Sequence, residues 1–187
     1  MATVLVLPGA TTSPALWQQL PVGHRKLQVI DYQQLALDEY TWEKLCQACQ
    51  QLVQTAEQPV VLVGEGIGSL IALQLATTMF GRLDRLILVN PQYQFKRGLL
   101  GGMFTRTAFT GAGKRQLTHS MKNVDLSGNL VHIMCETYVY CGERDHFSRQ
   151  AAEDLSMRLL DGHLLIVPNM GRNFDHNGLY AVGQNLR

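Results

Sequence analysis

The stretch from residue 60 to residue 68 constrains this chain more than any other. A branched apolar run, Val60-Val61-Leu62-Val63, passes through Gly64-Glu65-Gly66-Ile67-Gly68 straight into an apolar helical segment. Branched residues suit a strand buried on both faces, and glycines at alternate positions allow a turn too tight for side chains. A strand that gives way at once to a helix is the repeating unit of a parallel sheet. The same rhythm recurs along the chain, with strands predicted at 4–7, 27–30, 60–63, 86–89, 131–140 and 164–167. Helices are predicted at 42–56 behind a Thr41 cap, at 68–79, after a Ser148 cap with Ala151, Ala152, Leu155 and Leu159 on one face, and at 177–186.

Composition narrows the class. At 187 residues, 46% hydrophobic and 17% charged, the chain is long enough for one self-sufficient core. A single domain over 1–187 is expected. A net charge of +1 supplies no global field for nucleic acid, and no apolar run approaches the roughly 18 residues of a membrane span. Four scattered cysteines (Cys46, Cys49, Cys135, Cys141), and a Met1-Ala2-Thr3 start that enters a strand without a basic leader, point to a cytoplasmic protein with reduced thiols.

Residues 92–129 break the rhythm. Five glycines lie between Gly98 and Gly113, and six basic residues (Lys96, Arg97, Arg106, Lys114, Arg115, Lys122) precede the first acid, Asp125. This reads as a short Gly-rich lid, a solvated and flexible excursion over the sheet. Its alternative reading is a basic surface for an anionic partner, centred on Lys114 and Arg115.

The strand, tight turn and helix around Gly66 resemble the nucleophile elbow of the α/β-hydrolases. Three further pieces resemble that family in the same order: Leu7-Pro8-Gly9-Ala10 with Trp17, like its first strand and oxyanion loop; Gly142-Glu143-Arg144-Asp145, like its acid turn; and Val167-Pro168-Asn169-Met170-Gly171-Arg172, like its histidine turn. The resemblance covers nearly the whole chain. It implies an α/β-hydrolase fold: a mostly parallel sheet of about six strands, helices on both faces, and a site at the C-terminal strand ends. It also implies an oxyanion hole formed by the backbone amides of Ala10 and Ile67, a pocket at Glu65, Gly66, Trp17 and Arg172, and a carboxylic-ester class of chemistry if the chain is active.

The chain departs from that pattern at two positions. The elbow centre, where the resemblance places a nucleophile, is Gly66 and has no side chain. The residue after Gly171, where it places a base, is Arg172, which stays protonated. Asp145 fits the acid position, but an acid with no histidine to orient has no catalytic role. The leading expectation is therefore a silent or nearly silent relative that keeps a cleft for a small-molecule or acyl ligand, with Arg172, Asp145 and Glu65 pairing across the vacant site. The alternative is an active small-acyl esterase or thioesterase in which Asp145 and His176 activate water. A third reading is an interaction protein using the basic lid.

Other motifs carry less. Ser69 is turned away from the elbow centre by helical geometry. Cys46-x-x-Cys49 falls on the apolar face of a predicted helix and reads as core. Gly64-x-Gly-x-Gly lacks both the Lys-Ser/Thr of a phosphate loop and the dinucleotide spacing, and His24, His119, His132, His146 and His163 show no ligand spacing. No cofactor or metal is expected.

Overall fold

The computed structural model describes residues 2–102 and 107–186. Six strands form one sheet in the order β2-β1-β3-β4-β5-β6, with every pairing parallel. They are β1 (Thr3–Leu7), β2 (Lys26–Val29), β3 (Val60–Glu65), β4 (Leu83–Val89), β5 (Glu136–Gly142) and β6 (Gly162–Val167). The helices are α1 (Pro14–Trp17), α2 (Trp42–Thr55), α3 (Ile67–Ala76), α4 (Gly111–Ser120), α5 (Arg149–Arg158) and α6 (His176–Gln184). This is the parallel sheet of about six strands with helices on both faces that the resemblance implies.

Alternation along the central strands divides the core in two. Leu5, Leu7, Leu62, Leu86 and Leu88 face α2, α3, α4 and α5. Val4, Val6, Val61, Val63, Ile87 and Val89 face the opposite side, where Trp17 of α1 and Leu179 and Val182 of α6 pack. Helix α3 lies deepest, every residue but Gln74 being buried. Burial of Leu70, Ile71 and Leu73 contributes about 1.5–3 kcal/mol each, so the helix that starts at Gly66 is held firmly. Among the described residues no helix is long and apolar enough to cross a membrane.

Three expectations change. The strand predicted at 131–140 is shorter: residues 130–132 form a 3-10 turn, Val131 and Met134 are exposed, and pairing starts where Glu136 meets Arg85 of β4. Ser148 precedes α5 but its hydroxyl makes no capping bond. The 92–129 excursion is less solvated than expected, since its described residues include α4 and bury Leu99, Leu100, Phe109, Leu117, Met121 and Leu126 in the α2–α3 core. Its two ends are stapled together, Phe95 N–H donating to the Val124 carbonyl at 2.8 Å and Leu126 N–H to the Tyr93 carbonyl at 2.9 Å. Arg106 lies outside the described residues.

Candidate functional site

Between β3 and α3 stands one residue. Gly66 has φ 53° and ψ −112°, a conformation that strains any side-chain-bearing residue. Its N–H donates to the Val89 carbonyl at 3.0 Å, fixing the turn to the end of β4. A Cβ built at Gly66 would meet only the Gly9 Cα, at 3.8 Å, so the space a nucleophile would occupy is open. At Gly68 the situation reverses: a Cβ would run into the Leu7 carbonyl, because α3 passes hard against β1. The turn is thus open above its centre, and the residue there has no functional group.

Beside it, Glu65 is 4% exposed, and its carboxylate gathers the loop after β1. Oε2 accepts the Gly9 N–H and the Trp17 Nε1–H, both at 2.9 Å, and Oε1 accepts the Thr12 hydroxyl at 2.6 Å. Burial raises the Glu65 carboxyl above its usual range, and these donors offset part of that rise. Glu65 both lines the cavity and anchors the first loop to the elbow.

Trp17 was expected in the pocket and lies behind it. It is fully buried, stacked on Phe174 at 3.9 Å with an interplanar angle of 7°, and contributes to the site only through its bond to Glu65. An indole with a free N–H needs such a partner when buried.

Asp145, at the end of β5, is 1% exposed. Its Oδ1 accepts the N–H groups of Phe147 and Ser148 at 2.9 and 3.2 Å, while Oδ2 is buried with no partner among the described residues. The expected pairing of Arg172, Asp145 and Glu65 does not form. Instead the Arg172 guanidinium donates to the Gly98 carbonyl of the 92–129 segment at 2.6 Å and lies 3.8 Å from the ring centroid of Phe147, between β5 and α5, a cation–π contact. His176 is the first residue of α6, exposed and outside the cavity wall.

The cavity above Gly66 has a volume of about 290 Å³ and is walled by Ala10, Glu65, Asn90, Leu99, Ser148 and Arg172 among others. Each strand from β1 and β3 to β6 delivers part of this wall just past its C-terminal end, as open parallel sheets do. The Ala10 and Ile67 amides have no hydrogen-bond partner among the described residues, and Ala10 lies in the wall.

Sequence reasoning did not single out Asn90, and it reads Ser148 only as a helix cap, although both line the cavity. Asn90, at φ 44°, donates from Nδ2 to the Gly171 and Arg172 carbonyls at 3.1 and 3.0 Å, and its Oδ1 accepts the Gly142 N–H at 2.9 Å. It ties the ends of β4, β5 and β6 together. Its position directly after the apolar run of β4 was the available signal. Ser69 turns its hydroxyl to the Gly66 carbonyl at 2.6 Å and accepts the Gln92 N–H at 3.1 Å, which supports the elbow from below. Cys46 and Cys49 are buried in the core, and burial pushes the Cys49 thiol up to about 12. Among the described residues no three His, Cys, Asp or Glu side chains gather as metal ligands.

No family model matches the chain, and no curated protein matches it by sequence. Solved structures do match in shape. An α/β hydrolase enzyme from a Medee basin deep-sea metagenome library superposes with a TM-score of 0.75 at 16% identity, covering 99% of this chain and 87% of that one. A lipase-esterase related protein from Clostridium acetobutylicum gives 0.75 at 13% identity, over 99% of this chain and 93% of the other. An N-formylmaleamic acid deformylase from Pseudomonas putida gives 0.75 at 15%, over 97% and 91%. At such identities the likeness establishes the fold.

Proposed function

With the α/β-hydrolase fold as premise, we propose that this protein is a catalytically silent hydrolase relative that binds a small ligand bearing a carbonyl or carboxylate in the cavity above Gly66. The observation that carries the reading is Gly66 itself: the elbow geometry is kept at φ 53°, ψ −112°, and the residue at its centre has no atom that can attack. Two further features agree with it. Asp145 Oδ2 is a buried acceptor without the donor that a histidine would supply, and Arg172, in the position after Gly171, is turned onto Phe147 and cannot act as a base. What remains useful is the donor pair of the Ala10 and Ile67 amides, which would receive a ligand oxygen. The hydrolase neighbours favour an acyl ligand by analogy of fold.

A panel of short and medium acyl p-nitrophenyl esters tests this on the natural chain, on Gly66→Ser, and on Gly66→Ser with Arg172→His. The natural chain and the single variant are expected to stay at the buffer rate. The double variant is expected to release p-nitrophenolate: the serine oxygen attacks the ester carbonyl, its proton passes to the imidazole, and water then cleaves the acyl-enzyme. Turnover by the natural chain above buffer overturns the proposal. If His176→Ala then abolishes that rate, the water-activating route through Asp145 and His176 takes its place.

A further inference from the structure

Helix α4 has two unlike sides. One is buried: Leu117 and the following Met121 lie in the core, Gly113 sits against the Tyr40 ring, and Ser120 Oγ accepts the Trp42 N–H at 2.9 Å. The other side, together with the turn that follows, presents Lys114, Arg115, Thr118, His119 and Lys122 around a groove of about 590 Å³ that contains no carboxylate. A solvated helix face ordinarily mixes charges, since like charges one turn apart cost stability and opposite ones supply it. Here no acid occurs between Asp84 and Asp125. Among the described residues Arg115 and Lys122 form no ion pair, and the Lys114 ammonium has only the neutral Gly102 carbonyl, at 3.1 Å.

The opposite wall of the groove is Gly101 and Gly102, and the same two glycines wall the cavity above Gly66. A cationic groove and the candidate ligand cavity therefore meet at one strap of side-chain-free backbone. We propose that the α4 groove is an anion site for the phosphate end of a small ligand whose acyl or carbonyl end lies over Gly66. The groove is concave and clusters three permanent cations and a hydroxyl, which suits a compact multiply charged group such as a diphosphate better than a single carboxylate. The position of the acyl end rests on the cleft reading above, whereas the anion site rests on α4 alone.

The test follows the amide NMR signals of the full chain during titration with inorganic pyrophosphate. Saturable one-to-one shifts are expected at Gly102, Lys114, Thr118 and Lys122. Lys114→Gln with Lys122→Gln should weaken binding about tenfold or more, and so should about 1 M salt, which screens charges beyond about 3 Å. Removing two charges elsewhere, Lys26→Gln with Arg97→Gln, should leave the affinity within about twofold. If the groove pair proves unfolded by circular dichroism, Arg115→Gln with Lys122→Gln serves in its place. Equal weakening by both pairs, no saturation, or a response to polyglutamate but not to pyrophosphate overturns the anion site. Acetyl coenzyme A, which carries phosphates at one end and an acyl carbonyl at the other, should in addition move the Ala10 and Gly66 signals. Their failure to move once the groove is saturated overturns the two-ended ligand. The ester panel reads the cleft assignment separately, so the two failures are distinguishable.

Discussion

The Glu65 carboxylate accepts the Gly9 N–H at 2.9 Å, and the same carboxylate forbids a side chain at residue 9, because a Cβ there would lie 2.6 Å from Oε1 and 2.8 Å from Cδ. A flexible glutamate could ordinarily step aside. This one is held by Thr12 and Trp17 as well, so it has nowhere to go. Gly9→Ala should therefore behave as overpacking and cost about 1–3 kcal/mol. Urea unfolding checks this: the midpoint should fall with an unchanged slope, and an unaltered midpoint would show that the loop after β1 moves freely.

The protonation of Glu65 makes a second prediction. Burial raises its carboxyl above the ordinary range, so the native state binds that proton more tightly than the unfolded chain. The associated stability is complete below the unfolded glutamate value, about 4.3, and is lost as pH rises through the higher folded value. Relative to Glu65→Gln, which does not titrate, the natural chain should lose stability as pH rises from about 4.3 through the raised folded value. Denaturant midpoints of both proteins across that range give the result, and a pH-independent gap between them would falsify it.

Gly66 and Gly68 should respond differently to serine. At Gly66 there is room but the backbone is strained, so Gly66→Ser should cost about 1–3 kcal/mol, lowering Tm by about 2–4 °C per kcal/mol for a chain of this size. At Gly68 the added Cβ meets the Leu7 backbone itself, which cannot yield without separating α3 from β1. Gly68→Ser should not give a cooperatively folded protein. Calorimetry of the two variants side by side decides it, and equal losses would contradict the close approach.

Sequence reading succeeded where the physics is local. The strands at 60–63 and 86–89 were legible because both faces are buried and the residues are branched or apolar throughout. The elbow was legible because a strand passing at once into a helix needs small residues at fixed spacing: Gly64 is crowded by Gly68 and Ser69 close by in the chain, whereas the approach of Gly68 to Leu7 comes from the distant β1. Helix α4 was not: it begins Gly-Ala-Gly, a poor helix-forming start, and only Leu117 within it is buried, so no apolar period was visible. The role of Glu65 was out of reach for another reason. Its partners Gly9 and Trp17 lie 56 and 48 residues away and are brought to it by the β1–β3 pairing. Trp17 was therefore assigned to the pocket, when its indole N–H is turned to the carboxylate behind it.

Asp145 and Arg172 supply the sharpest test of the proposed reading of the site. Asp145 Oδ2 is buried with no donor, and a buried acceptor left unmet costs about 1–3 kcal/mol. Arg172 cannot relieve it while its guanidinium is held by the Gly98 carbonyl and the Phe147 ring. An imidazole in place of Arg172, carried on a turn that Asn90 already clamps through the Gly171 and Arg172 carbonyls, would offer that donor at small entropic cost. Arg172→His should accordingly change stability in a way that depends on Asp145. In a double-mutant cycle with Asp145→Asn, which replaces one carboxylate oxygen by an amide, a favourable coupling of about 0.5–3 kcal/mol is expected. Zero coupling would mean that the turn after β6 no longer aims residue 172 at Asp145. The absence of ester hydrolysis in the repaired variant would then have a geometric cause rather than a chemical one.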